Sequence, residues 1–331
     1  MVIHFFQSED SPLANNSNQI YVKKCSFGNS LFTEMKSGFS TKIGIFFTKI
    51  VAKFPFWAIY FFSSVFYQIV YYIIGYRKPV VLKNLRNSFP EKNEAEIKEI
   101  AKKFYHHFAD LTLETIKMRG MKDADFTERM KVSNADLINS YFMKGKSVLV
   151  LTMHYNNWEW GTYLSKYLKH KSLAVYKPLA NIQFDKFMNE TRSRFDAELI
   201  KNDHILRHLI RYEKQKTPVF VWLAGDQSPV SEDDYWYIFL NQEAMFFPGP
   251  AFISKHFNQP VFFQKLEKTG RGKYLTTFEL LCENPTEKSE HEIMKLYIEK
   301  MEEIISEKPE YYLWSHKRWK RKRPAGVSLQ K

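Results

Sequence analysis

Ser147-Val148-Leu149-Val150-Leu151-Thr152-Met153 runs directly into His154-Tyr155-Asn156-Asn157-Trp158-Glu159. The first seven residues have the length and composition of a strand. The next six turn polar and lead into an amphipathic stretch with helical spacing, Trp158 to Lys169. The alternation continues outward: strand-like runs at Ser172 to Tyr176, Val219 to Ala224, Pro260 to Gln264 and Tyr274 to Leu281 alternate with helical patterns at Ile182 to Phe195, Ile205 to Lys214, Ala251 to Phe257 and Glu290 to Glu307. Such alternation predicts an α/β fold, with a central, mostly parallel sheet flanked by helices. The chain shows no internal repeat.

Upstream, Asn84 to Pro90 (NLRNSFP) reads as a loop. A helix follows from Glu91 through Met118, with Ile97, Ile100, Ala101, Phe104, Phe108 and Leu111 at helical spacing. Farther upstream, Phe54 to Tyr76 holds 23 residues without a charge. As a helix this stretch reaches about 34 Å, enough for a hydrocarbon core of about 30 Å. Its aromatic ends and the flanking Lys42, Lys49, Lys53, Arg77, Lys78, Lys83 and Arg86 favour an N-terminal hydrophobic membrane helix over a buried core helix. Pro55, Ser63, Ser64 and Gln68 leave room for an interfacial helix in place of a full span. Met1 to Glu34 carries polar clusters without periodicity or a signal-peptide pattern and reads as a poorly ordered tail, with Met35 as an alternative start. The expected organisation is that tail (1–34), a membrane anchor helix (35–80), a helical segment packing on the catalytic domain (81–130), and an α/β domain (131–331) ending in a basic run.

Phe, Tyr and Trp make up 17% of the chain against 12 Gly and 13 Pro, which excludes collagen-like and low-complexity classes. A net charge of +13 implies an acidic partner: nucleic acid, anionic lipid headgroups or an acidic carrier protein. Lys317-Arg318-Trp319-Lys320-Arg321-Lys322-Arg323 suits anionic lipid or nucleic acid, and the membrane segment in the same chain favours lipid. Cys25 and Cys282 make neither a disulfide framework nor a four-ligand zinc site.

Reactive groups in open α/β sheets gather beyond the carboxyl ends of strands, where His154 falls. A histidine there can accept a proton near neutral pH, and a carboxylate on its other ring nitrogen would fix the tautomer and stabilise the imidazolium. Glu159 is the expected partner. The bare spacing is common, since ten histidines and 36 acids in 331 residues give about one such pair by chance. The chain has three: His4/Glu9, His154/Glu159 and His208/Glu213. His4 lies in the tail, and on the helix carrying His208 the pair is about 140° apart. Only His154 stands at a strand-to-helix turn, where the backbone can fold the pair together. Two bland readings compete. Asn156 and Glu159 have capping-box spacing, and His154 could be a hydrogen-bonded core histidine.

Gly225-Asp226-Gln227-Ser228-Pro229 follows another strand and could line the same sheet edge, with Asp226 orienting a donor or acceptor, or form an ordinary Asp turn. Phe247-Pro248-Gly249-Pro250 precedes a helix whose free amides could receive a phosphate, or simply starts that helix. Arg192 and Arg194 carry the planar fork that suits phosphate, although most such charges are solvated surface. There is no Gly-x-Ser-x-Gly elbow. Ser140 stands where Lys144-Gly145-Lys146-Ser147 would need the first glycine of a P-loop. His204 and His208 share a helix face without a third ligand, so no metal is expected.

Taken in order, these residues resemble the lipid A biosynthesis acyltransferases, the late lauroyl and myristoyl transferases of Gram-negative envelopes, within the lysophospholipid acyltransferase superfamily. The likeness runs from Met35 to Pro324. It comprises the hydrophobic segment, Asn84-Leu85-Arg86 with Ser88-Phe89-Pro90, and His154 and Glu159 as the His-x4-acid motif. Tyr176-Lys177-Pro178, Arg192-Ser193-Arg194, Asp226-Gln227, Phe247 to Pro250, and Tyr312-Leu313-Trp314-Ser315-His316-Lys317-Arg318 follow. The closing run looks like the version in Bacteroidetes-type members. The resemblance implies an enzyme on the cytoplasmic face of the inner membrane that moves a fatty acyl chain from an acyl carrier protein thioester to a hydroxyl of a lipid A precursor. It implies no cofactor beyond that co-substrate, no nucleic acid partner and an anionic membrane surface as the setting. His154 would be the general base, held by Glu159, in direct transfer without an acyl-enzyme. Arg192, Arg194, Asp226, Gln227, Lys177 and Gly249 would bind substrate. Two positions depart from the pattern: Asp196 stands where glycine is frequent, and Lys177 where arginine is common. The same pair would serve another acceptor, a lysophospholipid or aminolipid. A thioesterase would use water instead, and a non-catalytic membrane binder would not need His154.

Overall fold

Val148 and Val150 face one side of a seven-stranded sheet and Leu149 and Leu151 the other, all four fully buried. A strand apolar on both faces belongs at the centre of a parallel sheet between helical layers. The computed structural model describes residues 41–229 and 235–330, so the predicted tail, residues 1–34, lies outside the described residues. In chain order the elements are α1 (residues 41–51), α2 (Phe56–Gln68), α3 (Lys78–Ser88), α4 (Glu94–Met118), α5 (Asp123–Arg129), β1 (Met130–Val132), α6 (Ala135–Met143), β2 (Val148–Thr152), β3 (Lys171–Tyr176), α7 (Ile182–Arg192), β4 (Glu198–Lys201) and α8 (Ile205–Lys214). Then come β5 (Val219–Ala224), β6 (Tyr235–Phe239), β7 (Gln242–Phe246), α9 (Gly249–His256), β8 (Val261–Gly270), β9 (Lys273–Cys282) and α10 (Glu290–Glu307).

The sheet order is β1-β9-β8-β2-β5-β3-β4, parallel throughout except for the β8/β9 hairpin. This is the predicted α/β class with a mostly parallel sheet. One face carries α3, α4 and α10, and the other carries α5, α6 and a 3-10 helix, Trp158–Tyr167, where an α-helix was expected. The edge strands β1 and β4 were not expected: at three and four residues each, with charged positions, they are too short for a period to register. The β6/β7 hairpin was also missed. Its two-residue turn places Leu240 at φ 48° and Asn241 at φ 61°. Both are left-handed, as a tight hairpin requires, but leucine is not a residue that advertises such a turn.

The expected loop Asn84 to Pro90 is largely helix, because α3 continues through Ser88. Val81 and Leu85, one turn apart, are buried against the core. Asn84 is buried as well, and its amide is satisfied away from the helix backbone, donating to the carbonyls of Trp314 (2.9 Å) and His316 (3.0 Å).

The charge-free segment forms α2, prolonged by a π-helical stretch, Ile69–Ile74, that ends at Gly75 with φ 62°. The 19 residues Phe56–Ile74 are long and apolar enough to cross a membrane. One side of this helix rests on α4. There Ser63 Oγ donates to Asp110 (2.6 Å), which Arg271 also binds, and Tyr60 OH donates to Glu114 (3.0 Å). The opposite side is bare, with Trp57 75% and Ile73 78% exposed, and Phe61 and Tyr72 lie between them. On α1, Phe46 and Phe47 are likewise exposed.

Glu114 is fully buried and ties three elements together. It accepts from Tyr60 of α2, Tyr274 of β9 (2.7 Å) and Asn157 of the loop after β2 (2.7 Å). Burial and the nearby Asp110 raise its carboxyl above the usual range, against the opposing hydrogen bonds of Tyr274 and Asn157. Glu114→Ala leaves two buried groups, Tyr274 and Asn157, and the half-buried Tyr60 hydroxyl unpaired, and is expected to lower stability by at least about 2 kcal/mol. Glu114→Gln, which keeps a carbonyl acceptor, should lose less. Urea unfolding of both variants measures the difference.

Candidate active site

β2 and β5 are parallel neighbours with Thr152 opposite Ala224. Two residues beyond each strand, the same register brings His154 beside Asp226. Nδ1 of His154 lies 2.7 Å from Oδ1 of Asp226, and the His154 backbone N–H donates to Oδ2 at 3.1 Å. Asp226 is buried. With Nδ1 committed to the carboxylate, Nε2 is the ring's basic nitrogen. Burial alone would push the imidazole down, but the adjacent Asp226 carboxylate, helped by the charge of Glu159, outweighs it and raises the group above the ordinary histidine value. Burial would raise Asp226, and the imidazole holds it below the usual carboxylate range.

Here the structure corrects the sequence reading: the carboxylate on the imidazole is Asp226, not Glu159. Glu159 is clamped by Arg192, whose Nε and Nη2 donate to its two oxygens at 2.9 and 2.7 Å. The capping-box reading also fails. Asn156 is left-handed at φ 53°, and Asn157 caps the 3-10 helix, its side chain accepting from the amide of Trp160. The Asn156 side chain instead donates to the Leu266 carbonyl at 2.7 Å, which anchors the turn to β8.

His154, Glu159 and Arg192 open onto a cleft of about 220 Å³. Lys177 and Gln227 also line it, and apolar surface comes from Val175, Leu179, Met188, Leu199, Trp158 and Trp222. Trp222 can pack there because Gly161 lies against it: a Cβ at Gly161 would come within 2.4 Å of the indole. Arg194 is elsewhere. It donates to the carbonyls of Met118 (3.0 Å), Arg119 (2.6 Å) and Met121 (3.0 Å), tying down the turn after α4. Gly249 opens α9 away from the cleft, packed under the Phe247 ring. Asp196 sits at φ 64°, the left-handed conformation that glycine takes most easily, and binds Lys166 at 2.8 Å. The closing basic run is partly consumed by the fold. Arg318 is buried, donating to the Met245 carbonyl over the Phe246 ring, and Arg323 pairs with Glu243.

Trp222, Ser315 and His316 also line the cleft and were missed as site residues. His316 belongs to the Tyr312 to Arg318 run. Burial and Arg318 push its imidazole down to about 3, so it is neutral. Parallel register was the one signal able to pair His154 with Asp226, because the two lie equally far beyond neighbouring strands.

A histidine–aspartate pair at the carboxyl ends of adjacent parallel strands, opening on a partly apolar cleft, is an arrangement that can take up a proton at the edge of an α/β sheet. The family model of the bacterial lipid A biosynthesis acyltransferases matches residues 31–321, and the chain belongs to that family. No curated protein matches it closely enough to compare.

Asp226→Asn removes the carboxylate and leaves the burial. The His154 midpoint, raised in the wild type, should then fall below the ordinary histidine value of about 6.5. NMR titration of the imidazole protons measures both midpoints, and an unmoved midpoint would contradict the assignment of Asp226 as the dominant influence.

Proposed function

We propose that this protein transfers a fatty acyl group from an acyl carrier thioester to a hydroxyl of a lipid A precursor, on the cytoplasmic face of the inner membrane. The observation that carries the reading is the His154–Asp226 pair at the mouth of a cleft with apolar walls, in a chain of the lipid A acyltransferase family. Nε2 of His154 takes the hydroxyl proton as the oxygen attacks the thioester carbonyl, and Asp226 stabilises the imidazolium that forms. The same imidazolium then protonates the departing thiolate. General-base help of this kind is worth about 10² to 10⁴ in rate. Glu159 holds Arg192 at the cleft, where the guanidinium faces acceptor phosphate or developing negative charge, with Lys177 and Gln227 beside it. Met188, Leu199 and Trp222 give the acyl chain an apolar wall. The acidic carrier protein is drawn by the net positive charge, an attraction that salt weakens.

His154→Ala and Asp226→Asn are each expected to reduce transfer by about 10² to 10⁴. Glu159→Ala, which releases Arg192, should weaken it as well. Labelled acyl carrier protein and a panel of lipid acceptors make the measurement. Undiminished transfer by His154→Ala would remove the mechanism, and a preference for an acceptor other than lipid A precursors would remove the substrate assignment.

The apolar helix lies in the membrane interface on this reading. Its inner side is bonded to Asp110 and Glu114 of α4, whose outer positions carry Lys98, Lys102 and Lys103, so a full span would draw those charges into hydrocarbon. Replacing Trp57, Phe61 and Ile73 together with serine should release the folded protein from anionic vesicles. Unchanged vesicle binding, or residues of α2 labelled from the far side of sealed vesicles, would overturn it.

A further inference from the structure

We propose that the hydroxyl of Ser315 donates the hydrogen bond that receives the thioester carbonyl oxygen as it becomes an oxyanion. The inference rests on the acyl-transfer reading above and assigns the carbonyl oxygen a neutral hydroxyl donor of its own, separate from the charged groups placed at the acceptor. The segment Tyr311 to His316 lies antiparallel on the catalytic loop. Tyr312 bridges Tyr155, the Asn156 amide donates to the Tyr311 carbonyl at 3.0 Å, and the Leu313 amide donates to the His154 carbonyl at 3.1 Å. Two residues on, Ser315 lines the same cleft as His154.

Its position is braced from α3 and the turn before it. The Trp314 and His316 carbonyls accept from Asn84, and the Ser315 carbonyl accepts from Arg77 at 3.0 Å. With three successive carbonyls held, Ser315 sits on a fixed backbone in the wall of the cleft. Ser315 is 1% exposed, yet Oγ has no hydrogen-bond partner. A buried hydroxyl without a partner is disfavoured in the resting protein, and a ligand oxygen at that point relieves it. Of the other donors at the cleft, Arg192 grips Glu159, the Trp222 indole donates to Gln264 at 2.6 Å, and Lys177 and Gln227 stand with Arg192 on the acceptor side of the proposed reaction. Thr162 also lines the cleft with an unpartnered hydroxyl, but it sits eight residues beyond His154 on the 3-10 helix, next to Gly161 and Trp222. Ser315 belongs to the segment whose backbone is bonded to His154 itself.

In the step, the acceptor oxygen forms a bond to the carbonyl carbon while its proton passes to Nε2 of His154. The carbonyl π electrons move onto oxygen, which accepts from Ser315 Oγ–H. Collapse restores the C=O bond and breaks the C–S bond, and the thiolate leaves with the proton from the imidazolium.

Ser315→Ala is expected to lower kcat by about 10² to 10³ with KM little changed, the usual cost of one oxyanion donor. Its melting temperature should equal or exceed that of the wild type, because the lost hydroxyl had no partner, and the His154 midpoint by NMR should not move. Ser315→Thr should recover part of kcat, and Thr162→Val should keep it. If Ser315→Ala transfers at the wild-type rate while His154→Ala does not transfer, the inference falls and the acyl-transfer reading stands. A loss of kcat accompanied by a fall in melting temperature, or a loss confined to KM, also overturns it. A wild-type protein that moves no acyl group overturns the function and this inference together.

Discussion

The parallel register between β2 and β5 is the constraint on which the site depends. Thr152 opposite Ala224 obliges the residues two positions on to meet, and the backbone amide and ring nitrogen of His154 both fasten on one carboxylate. Slipping that register by one residue would turn each strand's buried side chains to the other face and separate the pair. Such a slip is opposed by every buried residue from Val148 to Leu151 and from Val219 to Val221. The site therefore inherits its geometry from the most deeply packed part of the molecule, and the loop after β2 is held by long-range anchors, the side chains of Asn156 and Asn157 and the backbone bonds to Tyr311 and Leu313.

The strand run Ser147 to Met153 and its alternation with helices made the α/β class legible, and the strand-to-helix turn singled out His154 among ten histidines. The partner was another matter. Spacing along the chain makes Glu159 conspicuous because it is five residues away, whereas Asp226 is 72 residues away and becomes a neighbour only through strand pairing. Asp226 stands just past a strand-like run in the sequence, but periodicity carries no information about which strands adjoin. Arg194 failed for the opposite reason: next to Arg192 in sequence, it points to another part of the molecule and is used up on backbone carbonyls. The missed strands β1 and β4 and the turn at Leu240 belong to positions where tertiary pairing overrides weak local preference.

Glu114 connects the apolar helix to this machinery. The carboxyl that receives Tyr60 of α2 also receives Asn157, whose own carbonyl caps the helix bearing Glu159. The Glu114 carbonyl in turn accepts from the Trp160 indole at 3.3 Å. The exposed apolar helix and the loop carrying His154 are thus joined by a short chain of mostly buried hydrogen bonds. Such chains rigidify what they connect when every member is satisfied. The apolar surface of α2 is accordingly built onto the catalytic domain and not tethered to it by a loose linker.

Two partly buried pairs stand at the cleft, His154 with Asp226 and Arg192 with Glu159. With the imidazole neutral, the group carries one excess negative charge. With the imidazole protonated, it carries none. In a poorly solvated site the second state is favoured, which is why the histidine is raised despite its burial. Uptake of a proton by His154 is therefore the event that neutralises the site. Glu159 takes part without touching the imidazole. Its field adds to that of Asp226, while the paired arginine keeps a second carboxylate tolerable within reach of the first.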